Sequence, residues 1–235
     1  MEESLNMRAD AICFDKDGTL FDFAKTWNVW AGRVIADLAG GDTGLQGRIA
    51  QSCGYDITTE SILEHSPIIA ATNRQVAECM ASAIPGSSVE NVERHLTLTA
   101  ANAPLVPAVP LLPFLTGLAG HGIALGVMTN DTEYGARAHL KSAGILDRFD
   151  FVAGFDSGHG AKPSPDPLLA FCTAVSASPA RSVMVGDSNH DLKAGRAAGM
   201  QTVGVLTGLA VENELAPYAD AVLPDIGHLT DWLTR

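Results

Sequence analysis

Short apolar segments alternate with helical stretches through the second half of the chain, and this alternation restricts the possible fold more than any other feature. The apolar segments are rich in strand-forming residues, and each is separated from the next by a stretch of helical periodicity. Strands joined through helices are parallel, and their sheet is covered on both faces. The sequence therefore predicts an α/β fold with a parallel sheet, whose later strands are residues 123–129, 149–155, 182–186, 202–206 and 221–223.

A further apolar run, residues 9–14, precedes the sequence Asp15-Lys16-Asp17-Gly18. This run is predicted to be a buried strand that ends at the carboxyl edge of the sheet, where ligands bind in open α/β folds. In an extended segment Asp15 and Asp17 project to the same side and Lys16 projects away. Two carboxylates at such a short distance repel each other unless a cation lies between them or one of them is protonated. For the motif alone, a solvated turn after the strand is the alternative interpretation.

The segment between the first strand and the alternating region has helical periodicity and no convincing strand. Its four predicted helices end before a stretch that carries four prolines, residues 104–113. We interpret residues 23–107 as an all-helical domain inserted into a catalytic core formed by residues 1–22 and 108–235. The predicted helices span about residues 24–39, 43–53, 72–84 and 88–100.

The composition excludes several classes of partner. The 235 residues include 27 acidic and 15 basic side chains, for a formal net charge of −12, and contain no basic run. Nucleic acids and anionic membranes are therefore not expected partners, and an anionic substrate would need local positive charge. The N-terminus lacks a secretion signal, no apolar span reaches membrane length, and the four cysteines are far apart. We expect a soluble cytoplasmic protein with reduced thiols.

Later strands are also followed by residues that can carry chemistry. Thr129 and Asn130 offer a hydroxyl and an amide before a helix, which suits phosphate oxygens, although a helix cap is the alternative for Thr129. Lys162 lies in a glycine-rich loop, where an isolated lysine is usually solvated. Asp187 and Asp191 are four residues apart at a strand-to-helix turn, so both carboxylates can face one hard cation.

Together these motifs resemble the four signature motifs of the haloacid dehalogenase superfamily, and residues 162–200 are especially similar to its phosphoglycolate-phosphatase-like members. The resemblance covers residues 8–22 and about 110–210. It implies a Rossmann-like core with the inserted helical domain as a cap over the active site. The motifs are Asp15-Lys-Asp17-Gly-Thr, Thr129-Asn130, Lys162-Pro-Ser-Pro-Asp and Gly186-Asp187-Ser-Asn-His-Asp191.

The resemblance also implies a mechanism and a cofactor. Asp15 would form an aspartyl-phosphate, and Asp17 would act as general acid and then as general base. Mg²⁺ would be held by Asp15, the backbone carbonyl of Asp17, and Asp187, while Thr129 and Lys162 would hold the phosphate oxygens.

Two residues have supporting roles in this interpretation. Asp191 would orient Lys162 or metal-bound water. In the inserted segment Arg74, near His65 and Asn73, is a candidate to bind a substrate carboxylate or hydroxyl groups, with a solvated surface arginine as the favoured alternative. Lys16, where many family members have an apolar residue, is expected to point away from the chemistry.

Several other functions remain open at this point. A dehalogenase would need neither the metal nor the second acid, and a phosphonate-cleaving relative would need a lysine in the cap, where Lys25 is the only one. A phosphosugar mutase shares the same core, and a catalytically silent metal-binding module is possible on the same fold. The favoured hypothesis is a Mg²⁺-dependent hydrolase of a small phosphate ester, phosphoglycolate-like or a sugar phosphate, that is a monomer or a homodimer.

Overall fold

The computed structural model describes residues 7–234 and divides into two compact units. One unit contains residues 1–23 and 105–235, and the other contains residues 24–104. The boundaries predicted from the sequence, after residues 22 and 107, differ from these by up to three residues. Residues 1–6, to which the expectation about a secretion signal mainly applies, lie outside the described residues.

The strands are short and belong to two sheets. Six of those in the described residues form one parallel sheet in the order β5-β4-β1-β6-β7-β8, and β2 and β3 form an antiparallel ribbon. The strands are β1 (Ala11–Phe14), β2 (Tyr55–Asp56), β3 (Ser61–Ile62), β4 (Ala124–Met128), β5 (Phe151–Ala153), β6 (Ser182–Gly186), β7 (Gln201–Val205) and β8 (Ala221–Leu223).

Apolar side chains cover the sheet on both faces. In β1, Ile12 and Phe14 pack into one hydrophobic cluster, while Ala11 and Cys13 pack into another. All four are fully buried. This alternation is the period of two that a strand buried on both sides must show. The prediction of an α/β fold with a parallel sheet is confirmed.

The helices connect the strands of the sheet and form most of the inserted unit. They are α1 (Phe23–Ala39), α2 (Thr43–Cys53), α3 (Pro67–Ala70), α4 (Asn73–Ser82), α5 (Val89–Ala100), α6 (Leu111–Gly120), α7 (Glu133–Ser142), α8 (Asp166–Ala174), α9 (Asn189–Ala197), α10 (Glu212–Leu215) and α11 (Leu229–Leu233).

Helix α6 begins inside the proline-rich stretch, residues 104–113, for which the sequence predicted no helix. Pro113 lies in its first turn, where a missing N–H group removes no helical hydrogen bond. Leu111, Leu115 and Leu118 are buried on one face of this helix. Proline content alone was therefore misleading, because the apolar spacing that follows is helical.

The inserted unit has its own hydrophobic core, formed by side chains from α1, α2, α4 and α5, among them Ile35, Ile49, Met80 and Leu96. The prediction that this unit is all-helical needs one correction, because β2 and β3 pair through Tyr55 with Ile62 and Asp56 with Ser61. Strands of two residues are too short to show an alternating pattern in the sequence.

No helix among the described residues is long and apolar enough to cross a membrane. The four cysteines are free thiols, and Cys13, Cys53 and Cys172 are buried.

Candidate active site

Three central strands end beside one another at one edge of the sheet. β1 lies between β4 and β6 and is parallel to both. The residues that follow these strands are Asp15, Thr129 and Asp187. Asp15 continues the sheet pairing by one bond, since its N–H donates to the carbonyl of Val185 at 2.9 Å. The parallel order thus brings together three motifs that are more than fifty residues apart in the chain.

Lys162 binds two carboxylates at this edge. Its Nζ donates to Oδ1 of Asp15 at 2.7 Å and to the carbonyl oxygen of Met128 at 2.9 Å. It also lies 2.6 Å from Oδ1 of Asp191. Lys162 is only 4% exposed, so these three contacts replace the water that an ammonium group would otherwise hold. The lysine that the sequence alone would leave in solvent is buried.

The combined effects of burial and neighbouring charges raise the pKa values of Asp15, Lys162 and Asp187 above their ordinary values. Burial raises the pKa of the Asp15 carboxyl above its ordinary value, and Lys162 only partly opposes this effect. Burial by itself would lower the pKa of Lys162, but Asp15 and Asp191 outweigh it and hold the pKa above its ordinary value. The pKa of Asp187 is raised by burial and then by repulsion from Asp15 and Asp191.

The carboxylates of Asp15, Asp187 and Asp191 form a group that could hold a metal ion. Each offers an oxygen atom, these oxygens all lie within 4.8 Å of one another, and all three residues are buried. Three hard oxygen donors with excess negative charge fit a divalent cation such as Mg²⁺. Gly18 and Gly208 lie against the Asp187 carboxylate so closely that a Cβ atom at either position would overlap it.

Asp191 is held in place from two sides. Oδ2 accepts hydrogen bonds from the N–H of Ser188 at 3.0 Å and from its hydroxyl at 2.7 Å, while Oδ1 faces Lys162. Gly186 leaves space for this side chain, because a Cβ there would overlap the Asp191 carboxylate. The position of Asp191 at the first turn of α9 thus fixes the ammonium group of Lys162.

The expectation that Lys16 points away from the chemistry is wrong. Lys16 is fully buried, and its Nζ forms an ion pair with Oδ2 of Asp17. The same Nζ lies 3.2 Å from Oδ2 of Asp131 and 3.0 Å from Nδ1 of His139. Burial would lower the pKa of Lys16, but Asp17 and Asp131 reverse this effect and raise the pKa, which keeps the ammonium group charged.

The backbone after β1 explains this error. The strand ends at Phe14, so the alternation of side chains that holds in an extended segment does not continue to Lys16. The chain instead turns sharply. The N–H of Gly18 donates to the backbone carbonyl of Phe21 at 2.7 Å, and the N–H of Leu20 donates to the backbone carbonyl of Lys16 at 3.0 Å. Gly18 has a φ of 81°, which favours glycine.

Thr129 and Asn130 contact different groups. Thr129 is 2% exposed, and its hydroxyl accepts a hydrogen bond from the N–H of Asp131 at 3.1 Å, which leaves the hydroxyl hydrogen as a donor. The amide of Asn130 donates to the carbonyl of Lys162 and accepts from its N–H, both at 2.9 Å. Asn130 therefore binds the backbone that carries Lys162, a role the sequence did not indicate.

Arg74 has three carboxylate partners within the inserted unit. Its guanidinium group lies 3.3 Å from Glu78, 3.0 Å from Glu90 and 2.9 Å from Glu93, and its side chain is 45% exposed. This arrangement matches the alternative of a solvated surface arginine. The substrate-binding role predicted for Arg74 gains no support from these contacts and remains a prediction.

Sequence reasoning overlooked the partners of Lys16. His139 occupies the buried face of α7 together with Ala136 and Leu140, so a titratable group at an apolar helix position was a detectable signal. Asp131 follows the Thr129-Asn130 pair directly. Gly208 had no such signal, because its closeness to Asp187 depends on the tertiary arrangement alone.

Some known proteins are similar to about half of the chain, and others are similar to most of it. A phosphoglycolate phosphatase of Rhodospirillum rubrum is 39% identical over 119 residues, which cover 51% of this chain and 49% of that protein. The chain thus spans about half the length of the first curated relatives it matches. A phosphoglycolate phosphatase of Xylella fastidiosa is 30% identical over 212 residues, covering 88% of this chain and 84% of that protein.

The fold has close relatives among solved structures. A provisionally assigned β-phosphoglucomutase from Thermotoga maritima superposes with a TM-score of 0.72 over 95% of this chain and 98% of that chain, at 21% identity. At this identity the similarity concerns the fold alone.

A family profile described as haloacid dehalogenase-like hydrolase matches residues 12–205, which is most of the chain. This match includes all four motifs and confirms the resemblance identified from the sequence. With the long alignment to the Xylella protein, it establishes that the chain belongs to the haloacid dehalogenase-like hydrolase family.

Proposed function

We propose that this protein is a Mg²⁺-dependent phosphatase that hydrolyses a small phosphomonoester through an aspartyl-phosphate intermediate. The observation that carries this proposal is the buried carboxylate of Asp15, bound by Lys162 and placed beside Asp187 and Asp191. A nucleophilic carboxylate next to a fixed cation and a group of metal-binding oxygens suits attack on an anionic phosphate. The membership of the chain in a hydrolase family supports the same reaction.

The first step forms a bond between a carboxylate oxygen of Asp15 and phosphorus. The ester P–O bond breaks, and the departing oxygen takes a proton from Asp17. The Lys162 ammonium group offsets negative charge on Asp15 and on the phosphate oxygens. The hydroxyl of Thr129 donates to one of those oxygens.

In the second step Asp17 accepts a proton from water, and the water oxygen attacks phosphorus. The bond between phosphorus and Asp15 breaks, which releases inorganic phosphate and restores the carboxylate. Asp17 thus gives and takes one proton in each cycle, a role that typically contributes about 10²- to 10⁴-fold to the rate.

The metal would be held by the carboxylates of Asp15 and Asp187 and by the backbone carbonyl of Asp17, with Asp191 in the same group of oxygens. When bound, Mg²⁺ would neutralise charge on the phosphate and relieve the repulsion between the carboxylates. The raised pKa of Asp187 supports this assignment, because a divalent cation is the partner that would restore its ionised form.

The substrate class follows from the inserted unit and from the relatives. We assign residues 24–104 as a cap that limits the substrate to a small metabolite. The relative that aligns over most of the chain is a phosphoglycolate phosphatase, which supports a phosphoglycolate-like ester or a sugar phosphate.

The test is metal-dependent phosphate release from a panel of small phosphomonoesters and a phosphoprotein. EDTA should abolish turnover, Mg²⁺ should restore it, and Ca²⁺ should not, since its larger and looser coordination shell would misplace Asp15. Full activity with Ca²⁺ alone would contradict the metal assignment. Conversion of a sugar phosphate into its isomer without net phosphate release would show a mutase instead. A preference for the phosphoprotein would contradict the assignment of residues 24–104 as a cap.

A further inference from the structure

A group of four side chains, the Lys16 cluster, lies directly beside the proposed active site. It consists of Lys16, Asp17, Asp131 and His139. Lys16 is fully buried and His139 is 1% exposed. One member, Asp17, is the proposed general acid and base, and none of the other three has a role in the mechanism above.

The Lys16 ammonium group contacts acceptors on three other residues. Its Nζ atom lies within hydrogen-bonding or ion-pairing distance of Oδ2 of Asp17, Oδ2 of Asp131 and Nδ1 of His139. Because an ammonium group can only donate, Nδ1 of His139 is the acceptor in this contact. These contacts orient the side chains of Asp17, Asp131 and His139 toward the Lys16 ammonium group.

Two of these acceptors lie on α7 or in the turn that precedes it. His139 lies on the buried face of α7. Asp131 precedes that helix, and its Oδ1 accepts from the N–H of Thr132 at 2.6 Å. The N–H of Asp131 donates to the hydroxyl of Thr129. Lys16 therefore connects the turn after β1, which carries Asp17, to the turn after β4, which carries the proposed phosphate-binding hydroxyl.

A purely structural role would be the simplest alternative for a buried ion pair. Such pairs contribute little net stability, however, because the cost of removing both charges from water offsets their attraction. The property that Lys16 adds is a fixed direction for the Asp17 carboxylate.

We propose that Lys16 is a positioning residue that holds Oδ2 of Asp17 and thereby sets the placement of Oδ1 for proton transfer to the ester oxygen. Because a carboxylate is planar, fixing one oxygen limits the positions of the other. This inference rests on the proposed function, since it assigns Lys16 to the proton-transfer step of that reaction.

The test compares two substrates that differ in their need for an acid. Departure of an alkoxide requires protonation, whereas nitrophenolate departs well without it. The substrates are the alkyl phosphate with the highest turnover in the panel and para-nitrophenyl phosphate, both measured with Mg²⁺. Lys16→Met should lower kcat/KM for the alkyl ester by on the order of 10²-fold and kcat/KM for the nitrophenyl ester far less, because kcat/KM reports the step in which the ester oxygen departs. Lys141→Met, an exposed lysine on α7, is the matched control and should change neither.

A double-mutant comparison separates positioning from a general structural effect. In an Asp17→Asn background, Lys16→Met should cause no further loss of kcat/KM with the alkyl ester, because the group that Lys16 positions is already disabled. Equal losses for both substrates in Lys16→Met, or an undiminished effect in the Asp17→Asn background, would overturn the proposal.

A second pair of variants covers the case in which Lys16→Met does not fold. His139→Asn keeps an acceptor near the position of Nδ1, whereas His139→Leu removes it. The leucine variant should show the same selective loss for the alkyl ester, and the asparagine variant should recover most of it. If the two variants behave alike, Lys16 does not act through this contact. Absence of Mg²⁺-dependent turnover of both esters by the unmodified protein would instead reject the proposed function itself.

Discussion

Asp15 combines burial with two kinds of charged neighbour, and this combination determines what a substitution there will do. The carboxylate binds Lys162 on one side and lies near Asp187 and Asp191 on the other. Asparagine has nearly the same shape but no negative charge and no nucleophilic oxygen. We therefore expect the fold to survive the change and the chemistry to be lost.

Asp15→Asn should reduce phosphate release to less than about one hundredth of the activity of the unmodified protein. Circular dichroism measured on the same sample checks that the fold is retained. Asp147→Asn, an exposed aspartate in the same unit, is the control and should retain full activity. Activity of the Asp15 variant above this limit would remove it from the nucleophilic role.

Asp187→Asn should have opposite effects on stability and on metal binding. In EDTA the variant should melt at a higher temperature than the unmodified protein, because one of three buried, mutually repelling carboxylates has lost its charge. For a chain of this size each kcal/mol corresponds to about 2–4 °C in Tm. Addition of Mg²⁺ should raise the Tm of the unmodified protein and leave the Tm of the variant nearly unchanged. An equal response of both to Mg²⁺ would exclude Asp187 as a ligand.

The same pair of proteins gives a pH test. The folded-state pKa of Asp187 lies above its ordinary value of about 4, so between these two values the folded state binds more protons than the unfolded state. Without metal, the stability of the unmodified protein should fall as the pH rises through this interval. Asp187→Asn should show a smaller fall, and thermal melting at a series of pH values checks the difference.

Helix α2 shows how one element depends on where its glycines lie. Gly47 is in the interior of the helix, and a Cβ there would meet no atom within 4 Å. Gly54 ends the helix with a φ of 67°, and a Cβ there would lie 2.9 Å from Cα of Ser66. A side chain can therefore be added at residue 47 without a steric clash. Residue 54 requires glycine, both for its backbone conformation and for the close approach of Ser66.

Gly47→Ala should increase the free energy of unfolding by about 0.5–1 kcal/mol, through better helix propensity and a less flexible unfolded chain. Gly54→Ala should decrease it by more than about 1 kcal/mol. Urea denaturation of both variants under the same conditions measures the two values. A stabilising effect of alanine at residue 54 would show that the end of α2 can rearrange without cost.

At the scale of the whole molecule, the ends of the inserted segment lie close together within the unit that holds the sheet. The N–H of Asp22 donates to the carbonyl of Val106 at 2.8 Å, and the N–H of Ala108 donates to the carbonyl of Leu20 at 2.9 Å. Phe21 and Pro107 form an antiparallel bridge between these two bonds. The two connecting segments are therefore paired through their backbones, and a short linker can join them.

Replacement of residues 24–104 by a short glycine-serine linker should leave a folded core. The core keeps its sheet and the carboxylates of Asp15, Asp187 and Asp191, so Mg²⁺ should still raise its Tm. Loss of the proposed cap should reduce the preference for small phosphoesters over larger ones. Calorimetry and the substrate panel measure these effects, and a core with an unchanged preference would show that the inserted unit does not select substrates.

Much of the fold and of the candidate site could be predicted from local patterns in the sequence. The alternation of apolar residues in β1 and the helical spacing in α7 determine burial within single elements, and parallel pairing then places Asp15, Thr129 and Asp187 at one edge. Strand ends in a parallel sheet meet regardless of how many residues separate them in the chain. That is why motifs far apart in sequence could be assigned to one site in advance.

Only the tertiary structure decided how the charged side chains pair. Lys16 stands between two aspartates in the sequence and Lys162 has no acidic neighbour, yet both are buried in ion pairs. Lys162 binds Asp15 and Asp191, while Lys16 binds Asp17, Asp131 and His139. These partners come from different elements, and a buried ammonium group must find acceptors wherever the folded chain supplies them. Sequence spacing describes the direction of a side chain only while the backbone stays regular. Beyond Phe14 the strand gives way to a tight turn, so the direction of Lys16 is set by packing and hydrogen bonding in three dimensions.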